Sequence, residues 1–148
     1  MQSIERLISS IDHPQFWKSR PAREEDIRAA EAALGVSFPP SYRAFLSRYG
    51  AVSVVDSTIS GIVDNAPLDP GSGSVVFDTM TFRREWRLPE HYVVIQPDED
   101  APYCLDTRKT DAAGEMPVIC YELHTEHAGV IAASFVDWLE RFFVGTGT

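Results

Sequence analysis

Two cysteines and two histidines lie between residues 104 and 127, where they could bind a metal or activate a thiol. Cys104 and Cys120 each lie in an apolar run that predicts a strand, and a loop centred near residue 112 joins the two runs. A hairpin that closes symmetrically about this loop pairs Cys104 with Cys120 on one face. His124 and His127 follow soon after, so the four side chains would form a nominal Cys₂His₂ set for zinc.

This set departs from the pattern of known metal and thiol sites. Zinc-binding thiols usually come as a closely spaced pair, whereas each of these cysteines lies alone in an apolar strand, where a free cysteine packs as a small hydrophobe. A cysteine nucleophile needs an exposed thiol in electropositive surroundings, but the segments around Cys104 are acidic. Asp106 and Thr107, at the end of the strand, fit a turn in which the aspartate side chain accepts from its own backbone. We therefore expect no catalytic residue, cofactor or metal, and a thiol or zinc enzyme is a distant alternative.

Composition and charge limit the classes of partner that the protein could bind. The chain has 148 residues, 44% of them hydrophobic, with 22 acidic and 13 basic residues and a net charge of −9. An acidic protein repels phosphate backbones and anionic membranes, so we expect no direct binding to nucleic acid or membrane, whereas a basic protein partner would be attracted. The sequence has no apolar run of signal-peptide or membrane-spanning length. With two cysteines, it is expected to be a cytoplasmic protein with reduced thiols.

Apolar periodicity predicts the elements that must position these residues. Helical spacing predicts helices at 2–12, 23–34, 40–49, 74–88 and 134–145. Runs rich in β-branched residues predict strands at 51–55, 57–63, 92–96, 102–107 and 117–122. Helices would therefore flank a central antiparallel or mixed β-sheet in one α+β domain that covers residues 1–148.

Two of these helices carry apolar faces that predict the core of the domain. The apolar face of the third helix consists of Tyr42, Phe45, Leu46 and Tyr49. That of the last helix consists of Phe135, Trp138, Leu139 and Phe142. The loop between the last two strands, which contains Asp111 and Glu115, is expected to be solvated.

Two consecutive segments, EEDIRAAEAALG and FPPSYRAFLSRYG, resemble the signature of the SUKH superfamily. In that family a charged helix ending in Leu-Gly leads to a Leu-Pro motif, a tyrosine-containing helix and a glycine stop. The matching residues here are Ile27, Glu31, Leu34, Gly35, Phe38, Pro39, Tyr42, Phe45, Leu46 and Gly50. Residues 92–122 resemble the sheet hairpin of the family and SFVDWL its closing helix, so the resemblance covers about residues 20–142.

The likeness is closest to the bacterial Smi/Knr-type members, with two departures. Phe38 stands where leucine is usual, and Tyr49-Gly50-Ala51 replaces the commoner Asn-Gly-Gly. The resemblance implies a SUKH-like α+β fold without enzyme activity or cofactor. Bacterial members are mostly immunity proteins, each of which binds and blocks a toxin, often a nuclease, whereas fungal relatives are scaffolding regulators of cell-wall synthesis.

From this resemblance and the charge we expect an immunity protein that neutralises a basic nuclease toxin by occluding its active surface. A non-catalytic regulatory scaffold or ligand-sensing domain is the alternative. The protein is expected to be a monomer, or a weak homodimer paired through an edge strand such as 51–55.

Exposed loop acids and aromatic side chains are the candidates for toxin contact. The loop PDEDAP, residues 97–102, presents three consecutive acids, and two more follow the last predicted strand. An aromatic anchor usually contributes more binding energy than rim charges. The expected toxin-binding residues are Asp98, Glu99, Asp100, Glu122, Glu126, Trp86 and Tyr103.

Overall fold

A computed structural model describes residues 4–144 of the chain, within which helices and strands alternate irregularly. The elements are α1 Ile4–Ser9, β1 Phe16–Lys18, α2 Glu24–Leu34, α3 Pro40–Tyr49, β2 Val52–Val54, β3 Ser57–Ile59, α4 Val75–Trp86, β4 Tyr92–Gln96, β5 Tyr103–Asp106, β6 Val118–Glu122, β7 His127–Ala132, α5 Phe135–Trp138 and a π-helix Leu139–Val144. The predicted α+β class and SUKH-like arrangement are confirmed.

The strands form two antiparallel sheets instead of one central sheet. The first has the order β1-β2-β3 and the second is the meander β4-β5-β6-β7. The backbone N–H of Ser60, just past β3, donates to the carbonyl of Ile95 in β4 at 2.7 Å and links the two sheets. Because β2 lies between β1 and β3, the expectation that the segment 51–55 is an edge strand is wrong.

Three strands of the second sheet, β4, β5 and β6, have buried side chains on both faces, whereas β7 is largely exposed. One face packs against α2, α3 and α5 in the main core, and the other packs under the end of α4 in a smaller cluster. The sheet residues that face the main core are Val93, Ile95, Leu105 and Val118. Those that face the smaller cluster are Val94, Cys104, Ile119 and Tyr121. Burial on two faces explains why β4 and β6 are continuous apolar runs in the sequence.

The carboxylate of Glu31 stabilises the turn that joins α2 to α3. Gly35 ends α2 with the left-handed φ of 70° that favours glycine. Glu31 then accepts from the backbone N–H of Phe38 at 2.7 Å and from the Arg43 guanidinium at 2.7 Å. Glu31 therefore ties the end of α2 to Phe38, just before α3, and to Arg43 within it.

Two glycines allow the backbone to cross itself after α3. The carbonyl of Gly50 accepts from the N–H of Ile62 at 2.8 Å. A Cβ placed on Gly61 would lie 1.8 Å from the Gly50 carbonyl oxygen. No side chain fits at Gly61, and the crossing anchors the start of the long segment that leads to α4.

The terminal helices differ from their predicted extent. Helix α1 ends at Ser9, because the Ile11 N–H bonds to the carbonyl of Ile8, three residues back, in a tight turn. Residues 2, 3 and 145 of the predicted helices lie outside the described residues.

The last helix changes type part-way along its length. Helix α5 becomes a π-helix at Leu139, which rotates the following side chains. As a result Phe143 is buried, whereas Phe142, predicted for the core, is only partly buried. The other predicted core residues of α3 and α5 are buried.

Candidate functional site: an acidic face around Trp86

The loop 97–102 is shaped by its own first acid. Asp98 Oδ2 accepts from the backbone N–H groups of Asp100 at 3.0 Å and Ala101 at 2.9 Å. This turn leaves Asp98, Glu99 and Asp100 exposed to solvent. Asp98 therefore both carries charge and holds the loop, whereas the backbone geometry of the turn does not depend on the side chain of Glu99.

The turn between β6 and β7 lies against this loop. The N–H of Leu123 donates to the carbonyl of Asp100 at 2.9 Å. Within the turn, Glu122 accepts from the Thr125 hydroxyl at 3.1 Å, and Glu126 has a left-handed φ of 57°. The structure thus brings the two predicted groups of acids to the same end of the second sheet.

Trp86 ends α4 beside these acids and is 38% exposed. Its ring meets the ring of His124 edge to face, with 5.3 Å between centroids, and His124 Nε2 lies 3.4 Å from Asp100 Oδ1. Arg87, with a left-handed φ of 55°, ends the helix and lets the chain turn away after Trp86. The tryptophan is therefore held by the acidic turn and still open to solvent.

A groove of about 460 Å³ lies between the end of α4 and the loop 97–102. We call it the Trp86 groove; it is lined by Thr81, Phe82, Glu85, Trp86, Pro97, Asp98 and Glu99. The surrounding carboxylates form what we call the acidic face, which consists of Glu85, Asp98, Glu99, Asp100, Glu122 and Glu126. The guanidinium of Arg84 lies 3.6 Å from Glu85 at the edge of this face, and both side chains are largely exposed.

Tyr103 lies apart from Trp86. It pairs with Gln96 across β4 and β5, and its ring packs against Trp138 and Phe142 with centroids 5.7 and 6.0 Å away. Burial raises the pKa of its hydroxyl. The two aromatic anchors predicted from the sequence therefore do not line the same groove: Tyr103 lines a separate depression of about 260 Å³, which it shares with Asp98.

The predicted pairing of the cysteines is wrong by one residue. Cys104 pairs with Ile119, and Cys120 pairs with Tyr103. Because successive side chains in a strand point to opposite faces, this shift places the two thiols on different sides of the sheet. The nominal Cys₂His₂ set is therefore not assembled, and within residues 4–144 no three His, Cys, Asp or Glu side chains are grouped to hold a metal.

Cys104 packs inside the smaller hydrophobic cluster. It is fully buried, its thiol lies 3.9 Å from the carbonyl of Pro102, and burial raises its pKa, which disfavours the reactive thiolate. The predicted turn after the strand is confirmed. Asp106 Oδ1 accepts from the N–H of Arg108 at 3.2 Å, and the Thr107 hydroxyl donates to the carbonyl of His91 at 2.7 Å.

The prediction of a solvated loop at residues 108–116 is wrong for Glu115. Its carboxylate accepts from the backbone N–H of Ser41 at 3.0 Å and from the Ser41 hydroxyl at 2.6 Å. Helix α3 starts after Pro39, which has no side chain that can cap it. Glu115 provides this cap from another part of the chain, and the two prolines before Ser41 were the signal that a cap was missing.

A larger, open depression of about 700 Å³ lies beside the C-terminal end of α2. Its lining includes Glu31, Gly35, His91 and Arg108, and none of the residues predicted to bind a partner lie in it. Its charges are mixed. The acidic face is therefore the part of the described surface where the predicted residues, an exposed aromatic ring and a concave shape coincide.

Comparison with known proteins shows a family and a relative. A family model described as SUKH_5, SMI1-KNR4 cell-wall, matches residues 1–144. The chain is 24% identical over 143 residues to an uncharacterised protein, YnaB, of Bacillus subtilis (strain 168), and the alignment covers 93% of this chain and 88% of that protein. Separately, no helix within residues 4–144 is both long and apolar enough to cross a membrane.

Proposed function

The chain belongs to the SMI1-KNR4 family, as a SUKH_5 member, and from this premise we propose that it is an immunity protein. It would bind one cognate bacterial toxin in the cytoplasm of the cell that carries both genes. Binding would block the toxin by covering its active surface. The toxin class that fits best is a nuclease with a basic, phosphate-binding surface.

The convergence of separate acidic segments around Trp86 is the observation that carries this proposal. Two loops, far apart in sequence, are joined by the bond from Leu123 to Asp100 and present their carboxylates together. A nuclease binds a phosphate backbone through basic side chains. A surface of carboxylates can therefore compete for the same residues, while long-range attraction by a protein of net charge −9 raises the association rate.

The proposed action is stoichiometric binding instead of catalysis. The buried Cys104 thiol, whose pKa is raised, and the separation of the two cysteines argue against a thiol mechanism. A stable complex usually buries about 800 Å² on each partner. The Trp86 groove would thus be the centre of a larger contact that includes the acidic turns at its rim.

Titration of toxin activity tests the proposal. The probe is the C-terminal domain of a large secreted toxin encoded beside this gene, assayed for nuclease activity with increasing amounts of the purified protein. We expect activity to fall linearly and to vanish at one equivalent, and co-expression to restore growth of cells that produce the toxin. Full nuclease activity in the presence of a large excess of the protein would rule out neutralisation of that toxin.

A regulatory scaffold is the second candidate, because the matching family model carries a cell-wall description. A scaffold would use the same fold to bind a host protein and would not protect cells from any toxin. Affinity purification from the native host, followed by a growth assay with the toxin, separates the two. Stable capture of a cell-wall synthesis protein without protection would favour the scaffold.

A further inference from the structure

The Trp86 groove has a composition that selects one kind of side chain. We infer that it receives an arginine side chain of the partner, an inference that rests on the proposed function, because the partner is the toxin. The groove combines an apolar wall with a rim of carboxylates. Its volume of about 460 Å³ lies in the lower part of the range typical of ligand clefts, ~300–1,000 Å³.

The wall and the rim call for an amphipathic cation. Phe82, Trp86 and Pro97 give the groove its apolar surface, and Glu85 and Glu99 are among the acids at its edge. A purely apolar occupant would remove these carboxylates from water without pairing them, which costs free energy. An acidic occupant would be repelled. A side chain with a methylene stem and a cationic end satisfies both parts of the groove.

The exposed indole favours arginine over lysine. A guanidinium is planar and weakly hydrated, so it stacks on the face of a tryptophan and still donates to carboxylates at its edge. It has five N–H donors, whereas an ammonium has three. Asp98 uses Oδ2 for both of its backbone bonds, so the turn occupies one of its two carboxylate oxygens.

The groove is held in shape before any partner arrives. The edge-to-face contact with His124 fixes the plane of the Trp86 ring, and Asp98 fixes the opposite wall through its two backbone bonds. Arg84 already lies near Glu85, but an ion pair between such exposed side chains contributes little, so it does not compete strongly. Preorganisation of this kind lowers the cost of ordering on binding.

Nuclear magnetic resonance of the full-length protein tests the inference with defined probes. The probes are N-acetyl-arginine methylamide, the corresponding lysine compound, and the citrulline compound, which has nearly the same shape as arginine without its charge. The signal is the indole N–H of Trp86, assigned by its loss in Trp86→Phe, and the indole of Trp17, 44% exposed in β1, is the internal control.

We expect a saturable shift of the Trp86 indole with the arginine compound, binding of the lysine compound roughly fivefold weaker, and no saturable shift with citrulline. The variant Glu99→Gln should weaken arginine binding by about threefold. An equal response to citrulline, an equal response at Trp17, or no saturable shift with arginine would overturn the inference. This experiment needs no toxin, so failure here with intact one-to-one inhibition removes only the arginine site, whereas failure of inhibition removes the proposed function.

Discussion

Replacing Glu115 by alanine should destabilise the fold more than loss of any ordinary loop acid. The carboxylate makes two hydrogen bonds to Ser41, at 3.0 and 2.6 Å, and one of them caps the first turn of α3. A bond to a charged group contributes about 1.5–3 kcal/mol, and loss of an N-cap costs ~0.5–2 kcal/mol. Because the pair is only partly buried, we take the low end of the bond energy and expect Glu115→Ala to lower the free energy of unfolding by about 2–3 kcal/mol.

Thermal and urea unfolding followed by circular dichroism measure this loss. For a domain of this size 1 kcal/mol corresponds to a shift of about 2–4 °C, so the melting temperature should fall by roughly 5–10 °C. The variant Glu115→Gln keeps a carbonyl acceptor and should lose about half as much. In a double-mutant cycle with Ser41→Ala, the coupling energy should be about 1 kcal/mol.

An exposed acid provides the reference for this experiment. Asp69→Ala, in the loop before α4, should change the free energy of unfolding by less than about 0.5 kcal/mol. If Glu115→Ala were as mild as Asp69→Ala, the capping role would be refuted. Additivity of the Glu115 and Ser41 variants would refute the bond to the Ser41 hydroxyl alone, because Ser41→Ala keeps the backbone N–H that is capped.

Three further predictions concern the interior. Gly61→Ala should lower the free energy of unfolding by more than ~3 kcal/mol and leave little soluble protein. The control Gly129→Ala, where a Cβ makes only an ordinary contact, should change neither expression nor melting temperature. Wild-type-like melting of the Gly61 variant would contradict the close backbone crossing of Gly50 and Gly61. Burial raises the pKa of Asp78 above its usual 3.8, so folding favours the protonated carboxyl. The stability that this contributes is present below pH 3.8 and is lost as pH rises through the folded pKa. The variant Asp78→Asn should therefore melt higher than wild type at pH 7 and equally at pH 3, and a lower melting temperature at pH 7 would oppose this. A thiol reagent should modify Cys120 alone in the native protein and Cys104 only after unfolding; rapid native modification of both would contradict the burial of Cys104.

Local signals explain why α2, α3 and β4 could be predicted closely. Gly35 and Gly50 end their helices, and the aromatic face of α3 follows helical spacing that any core-facing helix requires. The run 92–96 is apolar enough to be a strand irrespective of its neighbours. These features depend on residues close in sequence, so the chain alone specifies them.

The remaining features depend on contacts between distant segments. The register of β5 with β6 is set by packing on both faces of the sheet, and a shift of one residue was enough to separate the two cysteines. Strand β7 contains alanine and glycine without alternation, so only its pairing with β6 defines it as a strand. Glu115 and Ser41 lie 74 residues apart, and neither residue shows by itself that it needs the other.

The same distinction applies to the candidate site. The acids at 98–100 and at 122 and 126 were predictable as exposed loop residues. Their contact through Leu123 and Asp100, and the position of Trp86 between them, required the fold. The sequence did not show that Trp86 would be exposed and that Tyr103 would pack against other rings. The burial of either side chain depends on elements that are distant in sequence.

Association kinetics with the neighbouring toxin domain would test the central claim, that the acidic face binds the toxin, most directly. The variant Glu99→Lys/Asp100→Lys leaves the Asp98 side chain that forms the turn. The control Asp12→Lys/Asp69→Lys changes two exposed acids outside the acidic face. Each variant reverses two charges, so each changes the net charge by four units, from −9 to −5. We predict a one-to-one complex whose association rate falls at least ~10-fold from low to high salt. The first variant should associate ~10-fold more slowly than the control at low salt. Equal rates for the two variants, or no complex with the wild-type protein, would contradict the account.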